Sequence, residues 1–232
     1  MEIYGHRGAK GITMENSLLG FRQAAMQGIE RFELDVQLSK DNKMVVFHDD
    51  SLTRLVGTRY KVAQLDAEKL TQSILKGTDQ KIPLLRDVVQ ACPNVVHWQF
   101  EIKTNKTNPH FLRPMAKLIK ELGLEDKVTI TSKHRGMLAA FKRVLPDIPR
   151  GYVQEWAVPN GIRTAKKLKC TYLCLSKNLA KRSYIKKAQE RGLHVSIWTV
   201  NNPDDMKRLY RRGADSIITD YPQTAKDILA VI

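Results

Sequence analysis

YLCLSKNLAKRSYIKKAQERGLHVSIWTVNNPDDMKRLYRRGADSIIT, residues 172–219, decides the fold. Three short apolar runs, Tyr172–Leu175, His194–Val200 and Ser216–Thr219, have the length and bounding residues of buried strands. Between them lie two amphipathic stretches, Ser183–Arg191 and Asp204–Arg212, stopped by Gly192 and Gly213, where a helix C-terminus favours a residue free to turn left-handed. Strand, helix, strand, helix, strand at this spacing requires crossover connections and a parallel sheet.

The same alternation extends upstream. Ile3–Gly5 is a first strand ending at His6, and Ser17 caps a helix that runs from Leu18 to Gly28. Phe32–Leu38 is a second strand, turned at Asp41-Asn42-Lys43 into a hairpin partner, Met44–Phe47. Residues 50–83 are less regular and read as a small insertion. Leu84–Ala91 is a helix, Val95–Ile102 a third strand and Phe111–Leu122 a helix. Val128–Thr131, Met137–Leu145, Arg150–Gln154 and Ile162–Lys169 continue the series, and a last helix starts at Gln223. Apart from the hairpin partner there are eight strands and eight helices. The expected fold is an α/β (β/α)8 (TIM) barrel, one domain over residues 1–232, with a small insertion after the second strand.

Chemistry-bearing residues collect at the ends of these strands: His6-Arg7-Gly8, Glu33-Leu34-Asp35, His48-Asp49, Glu101-Ile102-Lys103 and Trp198. Side chains two residues apart on a strand share a face, so Glu33 and Asp35 converge, as do Glu101 and Lys103. Carboxylates are too costly to bury without partners. A hard cation held by oxygen ligands accounts for their convergence, and a salt-bridge network is the ordinary alternative. Barrel enzymes place their reacting groups at the C-terminal strand ends, where these residues fall.

The 232 residues carry a formal charge of +15 and three cysteines, Cys92, Cys170 and Cys174, whose spacing matches no zinc site and which read as small hydrophobes. Many cations occupy the outer faces of the later helices (Lys166-Lys167, Lys186-Lys187, Arg211-Arg212), which reads as solvated surface. No nucleic-acid motif accompanies the charge. No leader-like N-terminus or stretch of ~20 apolar residues is present, so a cytoplasmic enzyme without a stable membrane anchor is expected.

The chain resembles the glycerophosphodiester phosphodiesterase family through H-R-G at 6–8, M-E-N-S at 14–17, E-L-D-V-Q-L-S-K-D at 33–41, H-D at 48–49, E-I-K at 101–103, W-T-V-N at 198–201 and T-D-Y-P at 219–222. One departure is Met14, where the family usually has proline. The resemblance implies metal-dependent hydrolysis of small glycerophosphodiesters to sn-glycerol 3-phosphate and an alcohol. It implies one divalent cation, Mg²⁺ or Ca²⁺, on Glu33, Asp35 and Glu101, with His6 and His48 as the acid–base pair. It leaves open which histidine is the acid, and whether water or the glycerol 2-hydroxyl attacks first. Arg7 and Lys103 are expected to clamp phosphate, Trp198 to stack on the alcohol, and Glu15 and Asn16 to orient these groups. The competing readings are a lysophospholipase D-like enzyme at a membrane surface and an inactive barrel that binds anions or phospholipid.

Overall fold

Phe32, Leu34 and Val36 alternate with Glu33 and Asp35 along one strand, and that alternation separates a dry outer layer from a polar interior. In the computed structural model, which describes residues 1–104, 109–157 and 160–232 but not the side chains of Pro109 and His110, this strand lies at the centre of the site. His97, His110, His134 and His194 lie outside the sequence motifs, which favours packing or surface roles for them, and for His110 that reading lies outside the described side chains.

The elements run β1 (Glu2–His6), α1 (Leu18–Met26), β2 (Arg31–Leu38), β3 (Met44–Val46), α2 (Ala67–Gln72), α3 (Leu85–Gln90), β4 (His97–Ile102), α4 (Pro109–Glu121), β5 (Val128–Ser132), α5 (Arg135–Val144), β6 (Arg150–Gln154), α6 (Gly161–Lys167), β7 (Tyr172–Ser176), α7 (Arg182–Gln189), β8 (His194–Trp198), α8 (Pro203–Arg211), β9 (Ser216–Thr219) and α9 (Pro222–Ala230). β1, β2, β4, β5, β6, β7, β8 and β9 pair in parallel in that order, and β9 returns to β1, closing an eight-stranded barrel. β3 pairs antiparallel on the far half of β2 through a turn that Asn42 makes with φ +63°. The (β/α)8 barrel read from the alternation is the observed fold.

Outward residues of β2 and β4 (Phe32, Leu34, Trp98, Phe100) meet Phe21, Val88, Phe111 and Phe141 of the surrounding helices. A second cluster joins β7, β8 and β9 to α6–α9 through Leu173, Val195, Ile197, Ile185, Met206 and Leu209. Each such side chain, fully buried, contributes roughly 1.5–3 kcal/mol. The helix ends follow local chemistry: Ser17 Oγ accepts from Gly20 N at 3.0 Å at the start of α1, and Asn202 with Pro203 starts α8. The first helix ends at Met26 rather than Gly28, because Gly28 turns left-handed at φ +80°. β8 stops at Trp198, two residues before the apolar run ends.

Between β3 and α3 the chain forms a 3-10 turn (Val62–Gln64), α2 and isolated bridges around an apolar cluster of its own, including Phe47, Leu52, Val62, Leu70 and Leu75. Leu55, Val56 and Leu65 pack against that cluster, whereas Tyr60 is 58% exposed. No helix among the described residues is long and apolar enough to cross a membrane. Cys92, Cys170 and Cys174 are buried and unbridged.

Candidate active site

Strand register builds the site. His6 on β1 is level with Glu33 on β2, and Asp35 on β2 is level with Glu101 on β4, so three neighbouring strands deliver their inward residues to one end of the barrel. Glu33, Asp35 and Glu101 each bring one carboxylate oxygen within 4.8 Å of the others. His6, Arg7, Glu33, His48, Glu101, Lys103 and Trp198 line a cavity of about 220 Å³ there, and the fully buried Asp35 sits behind it.

The chain reaches this end through a constrained loop. Arg7 and Asn16 adopt φ of +51° and +55°, which non-glycine residues take only when their surroundings enforce it. Gly5 is required on β1, because a Cβ there would lie 2.2 Å from Gly8 O. This loop fixes Arg7 with Nη1 donating to Glu15 Oε1 at 2.8 Å and Nε 3.0 Å from Asp35 Oδ2. Asn16 Nδ2 donates to the same Asp35 oxygen at 2.8 Å. Lys103 Nζ lies 2.9 Å from Glu101 and 3.1 Å from Asp35 Oδ1.

Both histidines are braced the same way. His6 Nδ1 pairs with Asp220 Oδ1 at 2.5 Å, and its Nε2 faces Glu33 at 3.8 Å. His48 Nδ1 pairs with Asp49 Oδ1 at 2.6 Å. A carboxylate on Nδ1 fixes the ring and leaves Nε2 for proton transfer. Asn201 donates to Asp220 at 2.6 Å. Arg54, from the segment after β3, grips Asp49 at 2.6 Å and Glu15 at 2.7 Å, so one guanidinium joins the brace of His48 to the brace of Arg7. Sequence reasoning assigned no role to Asp220, Asn201 or Arg54. Asn201 and Asp220 stand in the W-T-V-N and T-D-Y-P motifs just past the last two strands, which was the available signal, and Arg54 had none.

The electrostatics divide the carboxylates. Burial, with Asp35 and Glu101 adding repulsion, pushes the Glu33 carboxyl well above the usual range. Burial also opposes ionisation of Asp35, but Lys103 and then Arg7 outweigh it and hold that carboxyl low. Burial depresses the His48 imidazole, with Lys103 and Arg7 adding to the effect against the pull of Asp35. Both Glu33 oxygens, Asp35 Oδ1 and Asn16 Oδ1 are buried without a hydrogen-bond partner. Orphaned oxygens are costly, and here three of them, with Asp35 Oδ1 held only by its ion pair with Lys103, gather as hard donors around one acidic cluster. Three carboxylates against Arg7 and Lys103 also leave a negative excess. The donor set fits a divalent cation.

A closed barrel with an acidic, histidine-flanked and cation-lined mouth defines a phosphate-processing hydrolase. Residues 6–224 match the sequence model of the Glycerophosphoryl diester phosphodiesterase family, and the chain belongs to it; it is a glycerophosphodiester phosphodiesterase. Among its relatives, it is 27% identical to the Glycerophosphodiester phosphodiesterase of Bacillus altitudinis, covering 98% of this chain and 97% of that one. It is 28% identical to Lysophospholipase D GDPD1 of Homo sapiens, covering 97% and 84%. An Oleispira antarctica phosphodiesterase, solved in complex with the product sn-glycerol-3-phosphate, superposes with TM-score 0.93 at 23% identity over 99% of this chain and 97% of that one. That likeness concerns the fold.

Proposed function

We propose that this enzyme hydrolyses soluble glycerophosphodiesters to sn-glycerol 3-phosphate and a free alcohol, with His6 and His48 as the acid–base pair and Mg²⁺ or Ca²⁺ as cofactor. The observation that carries the reading is the coincidence, in one small cavity, of orphaned carboxylate oxygens with two histidines whose Nδ1 atoms are fixed by aspartates. Glu33, Asp35 and Glu101 would hold the cation, which when bound neutralises phosphoryl oxygens and polarises the phosphoester. Arg7 and Lys103 clamp the phosphate, Arg as a fork and Lys as a point charge. One histidine takes a proton from the nucleophile, either water or the glycerol 2-hydroxyl, as its oxygen bonds to phosphorus. The other protonates the alcohol oxygen as its bond to phosphorus breaks. Where the 2-hydroxyl attacks first, water then adds to the cyclic phosphate and the 2-oxygen leaves with a proton from a histidine. Trp198 offers a face to the glycerol, while Glu15 and Asn16 hold Arg7 and Asp35 in place.

The lysophospholipase D reading draws on the human relative's name. Against it stands the segment after β3, most of whose apolar residues pack inward, leaving Tyr60 and Ile74 as its exposed large apolar side chains. We favour small soluble diesters and no stable membrane anchor. The test is ³¹P NMR of glycerophosphoethanolamine digested in ¹⁸O-water with Mg²⁺ or Ca²⁺. The expected product is ¹⁸O-labelled sn-glycerol 3-phosphate. Release of phosphoethanolamine and glycerol, or no turnover with either ion, overturns the reading.

A further inference from the structure

A second, larger cavity of about 950 Å³ adjoins the first and shares His48, Lys103 and Lys133 with it. A phosphodiester has two ester arms. If the phosphate is clamped by Arg7 and Lys103, one arm enters the small chamber beside Trp198. The other must leave past His48 and Lys103 into this groove, which is wide enough for a head group of variable size.

The walls of the groove come from the β2–β3 turn, the start of the following segment and the β5–α5 loop, and most of the residues that form them are polar or charged, although their alkyl stems supply much of the surface. Its two acids are already engaged: Asp49 holds His48 and Arg54, and Asp50 holds Lys61. Lys40, from the β2–β3 turn, and Lys133, from the β5–α5 loop, have no carboxylate within 4.0 Å among the described residues, so both line the groove as exposed, uncompensated cations. Phe111 is the one aromatic among the described lining residues, and it is fully buried. Quaternary ammonium groups are recognised by exposed aromatic faces, and the described lining residues offer no exposed Phe, Tyr or Trp. Apart from Phe111, its apolar lining among the described residues is Leu38 and Ala63, too little to hold an acyl chain.

We propose that this groove is the leaving-alcohol subsite and that it selects head groups bearing a negative charge, phosphate or carboxylate, over choline and over acylated alcohols. The proposal rests on the hydrolase reading above and adds the substrate class. Lys40 is remote from the reacting phosphate, so its contribution is to the choice among head groups.

The experiment measures kcat/KM of the metal-loaded enzyme for glycerophosphoinositol 4-phosphate, glycerophosphoserine, glycerophosphocholine and lysophosphatidylcholine at fixed ionic strength. The same panel is run on Lys40→Ala, Lys40→Arg and Lys133→Ala. The two anionic diesters should lead, and Lys40→Ala should lower the anionic-to-choline ratio about fivefold, the size of one partly exposed charge pair. Lys40→Arg should restore the ratio, and the preference should shrink with added salt. Glycerophosphocholine or lysophosphatidylcholine turned over as well as the anionic diesters overturns the subsite and leaves the hydrolase standing. So does an unchanged ratio in both alanine variants. Failure of every diester overturns the hydrolase reading and the subsite together.

Discussion

The two ends of the barrel both bury polar side chains, and they treat them differently. At the end where the strands begin, Tyr4, His97, Tyr172 and His194 form a stacked polar layer, with Tyr172 and His194 ring centres 4.3 Å apart. Tyr4 Oη and His97 Nδ1 lie 2.9 Å apart, His97 Nε2 and Thr129 Oγ1 3.2 Å, and His194 Nε2 and Ser216 Oγ 2.8 Å. The orphans near this end among the described residues, Arg31 Nε and Arg150 Nε, belong to guanidiniums that still bond elsewhere, Arg31 to Glu2 at 3.2 Å and Arg150 to Ile148 O at 2.8 Å. At the mouth, Glu33, Asp35 and Asn16 keep oxygens with no hydrogen bond. A satisfied layer stabilises, whereas an unsatisfied one is held ready for what binds there. Histidine identity does not distinguish the ends, but hydrogen-bond completeness does.

The largest test removes what the mouth is built to hold. EDTA should abolish turnover, and Mg²⁺ or Ca²⁺ should restore it. Glu33→Gln, Asp35→Asn and Glu101→Gln should each cost several kcal/mol of transition-state stabilisation, on the order of 10³-fold in rate. Metal titration followed by thermal unfolding checks this independently of activity: the wild-type Tm should rise with added ion and the Glu33→Gln Tm should not. Full activity after exhaustive dialysis against chelator would mean that the orphaned oxygens have another purpose.

A second test sets the histidines of the two ends against each other. His6→Ala and His48→Ala should each lower kcat by about 10²–10⁴-fold with little change in Tm. The double variant should lose much less than the product of the two, because both serve one proton cycle. His97→Ala should do the reverse, keeping kcat while stranding Tyr4 and Thr129 at about 1–3 kcal/mol each, which for a chain of this size is a drop of some degrees in Tm. If His97→Ala lost turnover as steeply as His48→Ala, the contrast between the ends would fail.

Much of the mouth was legible in the sequence because its information is local. A two-residue period on a strand aims Glu33 and Asp35 together, and strand ends of a βα series meet at one face. The groups that hold those residues in place were not legible, because their contacts depend on how distant segments meet. Asp220 reaches His6 across 214 residues of separation, and Arg54 spans Glu15 and Asp49 from an irregular segment. The helix ends shifted by a residue or two because Gly28 and Lys169, at φ +80° and +51°, turn the chain before the amphipathic pattern runs out.

The floor should also leave a signature in stability against pH. Burial lowers the His97 imidazole to about 4, with Arg31 and His194 adding to the effect. The unfolded chain, titrating near 6.5, therefore binds more protons than the folded one between these values, and stability rises with pH there. The contribution is fully present above about 6.5 and lost as pH falls toward 4, a change of roughly 2–3 kcal/mol. Denaturant unfolding at pH 7, 5.5 and 4.5 should show part of this slope missing in His97→Gln. An identical slope in the variant would place the titration elsewhere.

The smallest expected effect concerns the outer wall, where α6 and α7 display Lys166, Lys167 and Lys187 to solvent and α8 carries the half-buried Lys207. These cations are also without carboxylate partners among the described residues, so they test whether an unpaired polar group always signals a ligand. The physical difference is water: an exposed ammonium, Lys40 and Lys133 of the groove included, is already solvated and pulls on an anion only weakly, whereas buried orphans such as the Glu33 oxygens are costly. Binding to anionic vesicles at physiological salt should accordingly be weak and should fade by 1 M, where the Debye length falls to ~3 Å from ~10 Å at 0.1 M. Hydrolysis of a soluble diester should need no lipid. Sedimentation with phosphatidylglycerol vesicles, run beside turnover with and without them, checks both. Tight sedimentation together with lipid-stimulated turnover of lysophosphatidylcholine above that of any soluble diester would show that the wall, like the mouth, is built for a ligand.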